Sequence, residues 1–119
     1  MNLDDFQALA LRGGFLLLRV VVTTDPMIDA LGRPAVARTT IIGQHLEIEL
    51  AATDTSAGEI SISLYHEVLE AAAVASFHPP AAVCELNEAG YEAAARECHR
   101  RLGIASPAAL NQMLAEFGF

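Results

Sequence analysis

The chain of 119 residues contains no lysine and no tryptophan, and only two cysteines. Its seven cationic side chains are all arginine and stand against 15 acidic ones, for a net charge of -8. A chain with that balance and no basic patch has nothing with which to neutralise phosphates, so nucleic acid and anionic membrane are excluded as expected partners. Cys84 and Cys98 are too few for a disulfide framework and are expected to stay reduced, as in a cytoplasmic protein. The N-terminus carries Asp4 and Asp5 where a leader would be basic, and Arg19 interrupts the longest apolar stretch. Neither a signal peptide nor a spanning helix is predicted. No repeat, low-complexity segment or linker divides the chain, so residues 1-119 are read as one domain with a modest core.

The missing positive charge is concentrated. No arginine lies between Arg38 and Arg96, while that interval holds Glu47, Glu49, Asp54, Glu59, Glu67, Glu70, Glu85, Glu88 and Glu92. Only histidine can offset them there. Clustered carboxylates raise one another's pKa and repel unless a proton, solvent or a cation relieves them.

Within this interval Ser56-Ala57-Gly58-Glu59 reads as a capping box, which predicts a helix beginning near Ala57. From there Glu59, Ser63, His66, Glu67 and Glu70 fall on one side, while Ile60, Leu64, Val68, Leu69 and Ala71 to Ala75 supply the buried remainder. Phe77-His78-Pro79-Pro80 ends it, because proline disfavours the helical conformation of the residue before it. His66 and Glu70, four positions apart, project from one face and can grip a single cation, whereas Glu67 sits beside the pair, placed to take a proton from a bound water. The almost wholly apolar sequence after Glu70 predicts a deeply buried C-terminal half, with the polar group facing a cleft.

The remaining elements are assigned from the same signals. Phe15 to Val22 reads as a central strand, with Ala37 to Ile42 and His45 to Leu50 as two more, broken at Gly43. The strict alternation of His45-Leu46-Glu47-Ile48-Glu49-Leu50 predicts an outer strand with one buried face. Asp4 to Leu11 is read as a short helix stopped by Arg12-Gly13-Gly14, with turns at Asp25-Pro26 and Leu31-Gly32-Arg33-Pro34. Asn87 to Leu102 is the second main helix, ended by Gly103, and Ser106-Pro107 caps a last helix through Glu116. These elements give an α+β class: a small, mainly antiparallel sheet packed on the polar-faced helix, with one or two supporting helices.

The order His66-Glu67-x-x-Glu70 followed by Asn87-Glu88 on a second helix resembles the gluzincin branch of the zincin metallopeptidases, to which thermolysin belongs. The likeness covers residues 62-92. It implies a zincin-like fold in which His66 is the first metal ligand, Glu67 the general base and Glu88 the glutamate ligand. Glu70 takes the place normally held by a second histidine, Asn87 precedes the ligand, and Glu92 falls where an acidic residue orients a ligand histidine. The resemblance further implies a zinc cofactor and a peptide or protein partner extended along the strand His45 to Leu50. With Glu70 in the histidine place the set is one imidazole and two carboxylates, harder and more anionic, so Mn, Fe or Ca are accommodated beside Zn.

Two functions from different classes follow: a metal-dependent, peptidase-like hydrolase with Glu67 as base, or a non-catalytic domain of the same shape that binds a partner protein with or without an ion. A third reading makes the polar stripe an ordinary solvated helix face. His78 could replace Glu88 as ligand, Cys84 with Cys98-His99 could form a separate zinc site, and Tyr91, Glu85 and His99 could border the main one.

Overall fold

In the computed structural model, which describes residues 1-51 and 56-119, the order of elements begins with a single 3-10 turn, Leu3-Phe6. The strands are β1 (Leu9-Leu11), β2 (Phe15-Thr23), β3 (Met27-Ile28), β4 (Pro34-Ala35), β5 (Ala37-Ile42) and β6 (His45-Ala51). The helices are α1 (Ala57-Ala75), the four-residue α2 (Ala81-Cys84), α3 (Glu88-Leu102) and α4 (Pro107-Glu116). The fold is α+β. No helix among the described residues is long and apolar enough to cross a membrane.

The main sheet has the order β1-β2-β6-β5, and β3 and β4 form a separate two-stranded ribbon. Three of the strand pairs are antiparallel, while β2 and β6 run parallel in the middle of the sheet. Helices pack on one face. Leu46, Ile48 and Leu50 of β6 are fully buried, and α1 packs on β6 and β5, while Phe15, Leu17 and Val20 of β2 join the same core, Phe15 against the Phe119 ring. An irregularity between Leu17 and Arg19 switches which positions of β2 point inward, so its continuous apolar run buries alternate residues on both sides of the break.

This order corrects the placement of His45-Leu50. The strand is interior, held by β2 on one side and β5 on the other, and so has no free edge for a partner to join. Alternation reports that one face of a strand is buried; lateral neighbours lie at right angles to that face and leave no trace in the pattern. The outer strand beside α1 is β5.

The N-terminal segment is also not a helix. One 3-10 turn carries Phe6 into the core, Ala8 adopts a positive φ of 50°, and Leu9-Leu11 pairs with β2 instead. Gly13 and Gly14, at φ of 88° and 84°, supply the tight return between those strands. The apolar half of α1 is less buried than the sequence suggests: Ala71 and Ala72 are buried, but Val74 is 68% exposed. Apolar side chains are common on protein surfaces, so an apolar run alone does not place both sides of a helix in the core.

Local chemistry sets the helix ends as expected. The hydroxyl of Ser56 accepts from the Glu59 amide, and that of Ser106 from the Ala109 amide. Glu59 itself meets the Arg96 guanidinium rather than turning back to the cap, joining α1 to α3. Further along, Tyr65 donates to the carbonyl of Gly103 at 2.9 Å, and the wholly buried hydroxyl of Ser61 accepts from the Ala105 amide and contacts His99. These bonds fix α3 against α1, which is what brings the candidate site together.

Candidate metal centre

Two caps and one helical repeat build the site. On α1, His66 and Glu70 stack one turn apart on the same face. On α3, the Asn87 side chain accepts from the Gly90 amide at 2.8 Å, which makes Glu88 the first helical residue and places its carboxylate at the positive end of the helix dipole. That end of α3 meets the polar face of α1.

There His66 Nε2 lies 3.0 Å from Glu70 Oε2 and 3.3 Å from Glu88 Oε2. One donor atom from each of the three residues falls within 4.8 Å of the others, a separation that leaves room for one shared ion at bond lengths near 2 Å. His66, Glu70 and Glu88 therefore form a group that could hold a metal ion. It is the single such group among the described residues, so neither His78, which is exposed, nor Cys84 with Cys98-His99 belongs to one. Glu88 is the open member, with its side chain 76% exposed, whereas the imidazole of His66 is 14% exposed.

The other nitrogen of His66, Nδ1, faces Glu92 Oε1 at 3.7 Å, an ion-pair distance too long for a hydrogen bond. Tyr91 stands beside the imidazole with ring centroids 6.0 Å apart. His99 is engaged instead with Ser61, and Glu85 is an exposed residue at the end of α2.

Glu67 does not join the metal group. Its carboxylate turns toward β5, where Thr39 Oγ1 donates to Glu67 Oε2 at 3.1 Å. Thr39 was not anticipated as a functional residue. The one signal for it is a hydroxyl at an inward-facing strand position between Ala37 and Ile41.

The electrostatics reflect four carboxylates around one imidazole. Burial raises the pKa of Glu67, opposed by the Thr39 hydrogen bond and the His66 charge. Burial, then the hydrogen bond and charge of Glu88, push Glu70 up to about 7. Burial pulls His66 down, but the Glu70 hydrogen bond and the charges of Glu67, Glu88 and Glu70 outweigh it and leave the pKa raised. Metal-free, the cluster thus binds protons more readily than free side chains would, and a divalent cation would compete with them.

The site opens into a cleft of about 470 Å³ lined by Val36, Ala37, Ser63, His66, Glu67, Glu88, Ala89 and Glu92. A second hollow of about 340 Å³, lined by Thr39, Ile41, Glu70, Ala71 and Val74, shares Ala37 and Glu67 with it, so the two flank Glu67 along the side of β5. The Val36 carbonyl accepts from the Ala51 amide, and Ile42 pairs with His45 across Gly43-Gln44. By the alternation of an antiparallel ladder, Ala37, Thr39 and Ile41 then turn their backbone N-H and C=O groups away from β6, toward this groove.

No family model matches the chain, and neither does any curated protein or solved structure. The gluzincin likeness rests on the residue pattern of 62-92 alone.

Proposed function

We propose that the protein is a metal-dependent hydrolase of peptidase-like chemistry, with His66, Glu70 and Glu88 as the metal-holding set and Glu67 as general base. The observation that carries this reading is the convergence of three donor atoms within 4.8 Å from two helices, two of them, His66 and Glu88, lining a cleft that also holds Glu67. Zn is the cofactor suggested by the motif, and the two carboxylates suit Mn, Fe or Ca as well. A divalent ion there would polarise a substrate carbonyl and acidify its own water. Glu67, off the ligand set but in the same cleft, would take the proton from the attacking water and return it to the leaving amine. Thr39 occupies one of its oxygens, and among the described residues nothing hydrogen-bonds the other. An extended peptide would be held by the outward backbone groups of Ala37, Thr39 and Ile41, the role earlier assigned to His45-Leu50 passing to β5.

One observation favours a binding module. The residues lining the cleft include no Tyr, Arg or second His to stabilise an oxyanion. Elemental analysis of untagged protein tests for the ion. Glu67→Gln then divides the two functions: a hydrolase keeps its metal and its fold but loses turnover by about a hundredfold or more, whereas a binding module shows no hydrolysis in either form. Metal-free protein that takes up no divalent ion overturns both metal readings.

A further inference from the structure

Of the polar contacts in the cleft, the one between Thr39 and Glu67 joins the edge strand to the residue proposed to do the chemistry. We infer that Thr39 is a positioning residue for Glu67, and that it links occupancy of the β5 edge to the orientation of the base. The inference rests on the hydrolase reading above.

Glu67 is carried by α1 and Thr39 by β5, so their hydrogen bond spans two elements that are distant in the chain. A glutamate has three side-chain torsions, and a base that samples several of them spends little time within reach of a water. The 3.1 Å bond from Thr39 Oγ1 to Glu67 Oε2 selects one rotamer, leaving Oε1, which no described residue hydrogen-bonds, to accept a proton. Thr39 can do this because strand geometry gives its side chain and its backbone different directions. The side chain points at α1, while the backbone N-H and C=O point to the open side of β5, where Ala37 and Ile41 present theirs. A chain added at that edge would bond the backbone of the same residue whose hydroxyl holds the base. Seating the substrate would then restrain the strand from which the base is oriented.

The arrangement separates two contributions that most binding residues combine. Thr39→Val removes the hydroxyl but keeps the shape, the strand preference and every backbone group, so edge binding survives while the grip on Glu67 is lost. Thr39→Ser keeps the hydroxyl. The test uses the full chain loaded with Zn2+ and acetohydroxamic acid as probe, since a hydroxamate chelates the metal through two oxygens and places its acidic proton against a neighbouring carboxylate. Zn2+ affinity, acetohydroxamate affinity and thermal midpoint are measured for wild type, Thr39→Val, Thr39→Ser and Glu67→Gln.

Thr39→Val is expected to bind Zn2+ and melt as wild type does, yet bind acetohydroxamate about three- to tenfold more weakly, the net worth of an ordinary hydrogen bond being of that order. Thr39→Ser should stay within about twofold of wild type on that scale. For any peptide the wild type cleaves, Thr39→Val should lower kcat by a similar factor and leave KM unchanged. Weakened probe binding in Glu67→Gln beside an unaffected Thr39→Val would overturn the positioning role and leave the hydrolase reading in place. Loss of Zn2+ affinity or of the melting midpoint in Thr39→Val would make Thr39 structural and overturn the inference too. A probe indifferent to Glu67→Gln, or a chain that takes up no Zn2+, would bring down the base assignment and Thr39 with it.

Discussion

The two outer strands of the main sheet are treated very differently. At β1 the side-chain amide of Asn111 acts as a piece of surrogate strand: its oxygen accepts from the Arg12 amide at 2.8 Å, and its nitrogen donates to the Ala10 carbonyl at 3.3 Å. Arg12 in turn donates to the carbonyl of Phe119, so α4 and the C-terminus close that side. At β5, among the described residues, no strand or side-chain amide covers the outward groups of Ala37, Thr39 and Ile41. An open edge is a standing invitation to pair, and proteins normally blunt it. Here the blunted edge lies away from the acidic cleft and the open one borders it, which is the arrangement expected if the open edge is there to receive a chain.

The contrast can be broken first at the metal group. His66→Ala removes the one imidazole on which both carboxylates converge, and the affinity for Zn2+ or Mn2+ is expected to fall by about a hundredfold or more. Titration calorimetry on the metal-free protein measures it. An unchanged affinity would reduce the β5 side to an acidic groove no more specialised than the rest of the surface.

Acidity offers a second handle. Glu70, pushed up to about 7 by burial and by Glu88, and His66, also raised, both bind protons more tightly folded than unfolded. The stability they give the metal-free protein is complete below the unfolded carboxylate value and is lost as pH rises through their folded values. The metal-free protein should therefore melt several degrees higher near pH 5 than near pH 8, a size set by how far solvent screens these partly buried groups. Metal binding has the opposite sign. It displaces those protons, so affinity should climb about tenfold or more between pH 6 and pH 8. Melting curves with and without Zn2+ at both pH values test the two signs together.

A smaller effect sharpens the comparison of the edges themselves. The amide of Ile41 points outward, so Ile41→Pro removes no bond to β6 and should cost about 1 kcal/mol or less of stability. It should nevertheless weaken binding of an extended peptide about tenfold, as read by fluorescence anisotropy. If peptide binding is untouched, the open edge is not where a chain docks. Least of all, Asn111→Ala should lower stability by about 1 kcal/mol, because two half-exposed backbone groups lose their partners. Its clearer sign should be new concentration-dependent self-association, read by light scattering, with metal affinity unchanged.

The parts legible in the sequence were those that one stretch of chain decides by itself. Ser56, Asn87 and Ser106 cap three helices with their own hydroxyl or amide groups, and the four-residue step from His66 to Glu70 needs only a helix. Glu88 could be named from its spacing, but its arrival 3.3 Å from His66 depends on the Tyr65 and Ser61 bonds that hold α3 to α1. Lateral order in the sheet was not legible. His45-Leu50 and Ala37-Ile42 carry similar strand signals, and what puts the first inside is its parallel union with β2, a residue set far away in the chain. The N-terminal segment was misread because its apolar spacing suits one helical turn as well as a short strand, and β2 was there to be paired. Thr39 passed unnoticed because threonine is at home in any strand.

The parallel union of β2 with β6 also orders events in time. The β5-β6 hairpin closes across two residues, whereas β2 can reach β6 only after the whole segment carrying β3, β4 and β5 has been looped back, the slower kind of closure. The metal group depends on a shorter closure, for its three donors lie on α1 and α3, which meet across the brief connection between Ala75 and Glu88. An ion bound only after that docking would slow unfolding and leave the folding rate as it was, whereas an ion that seeds the helix pair would speed folding as well.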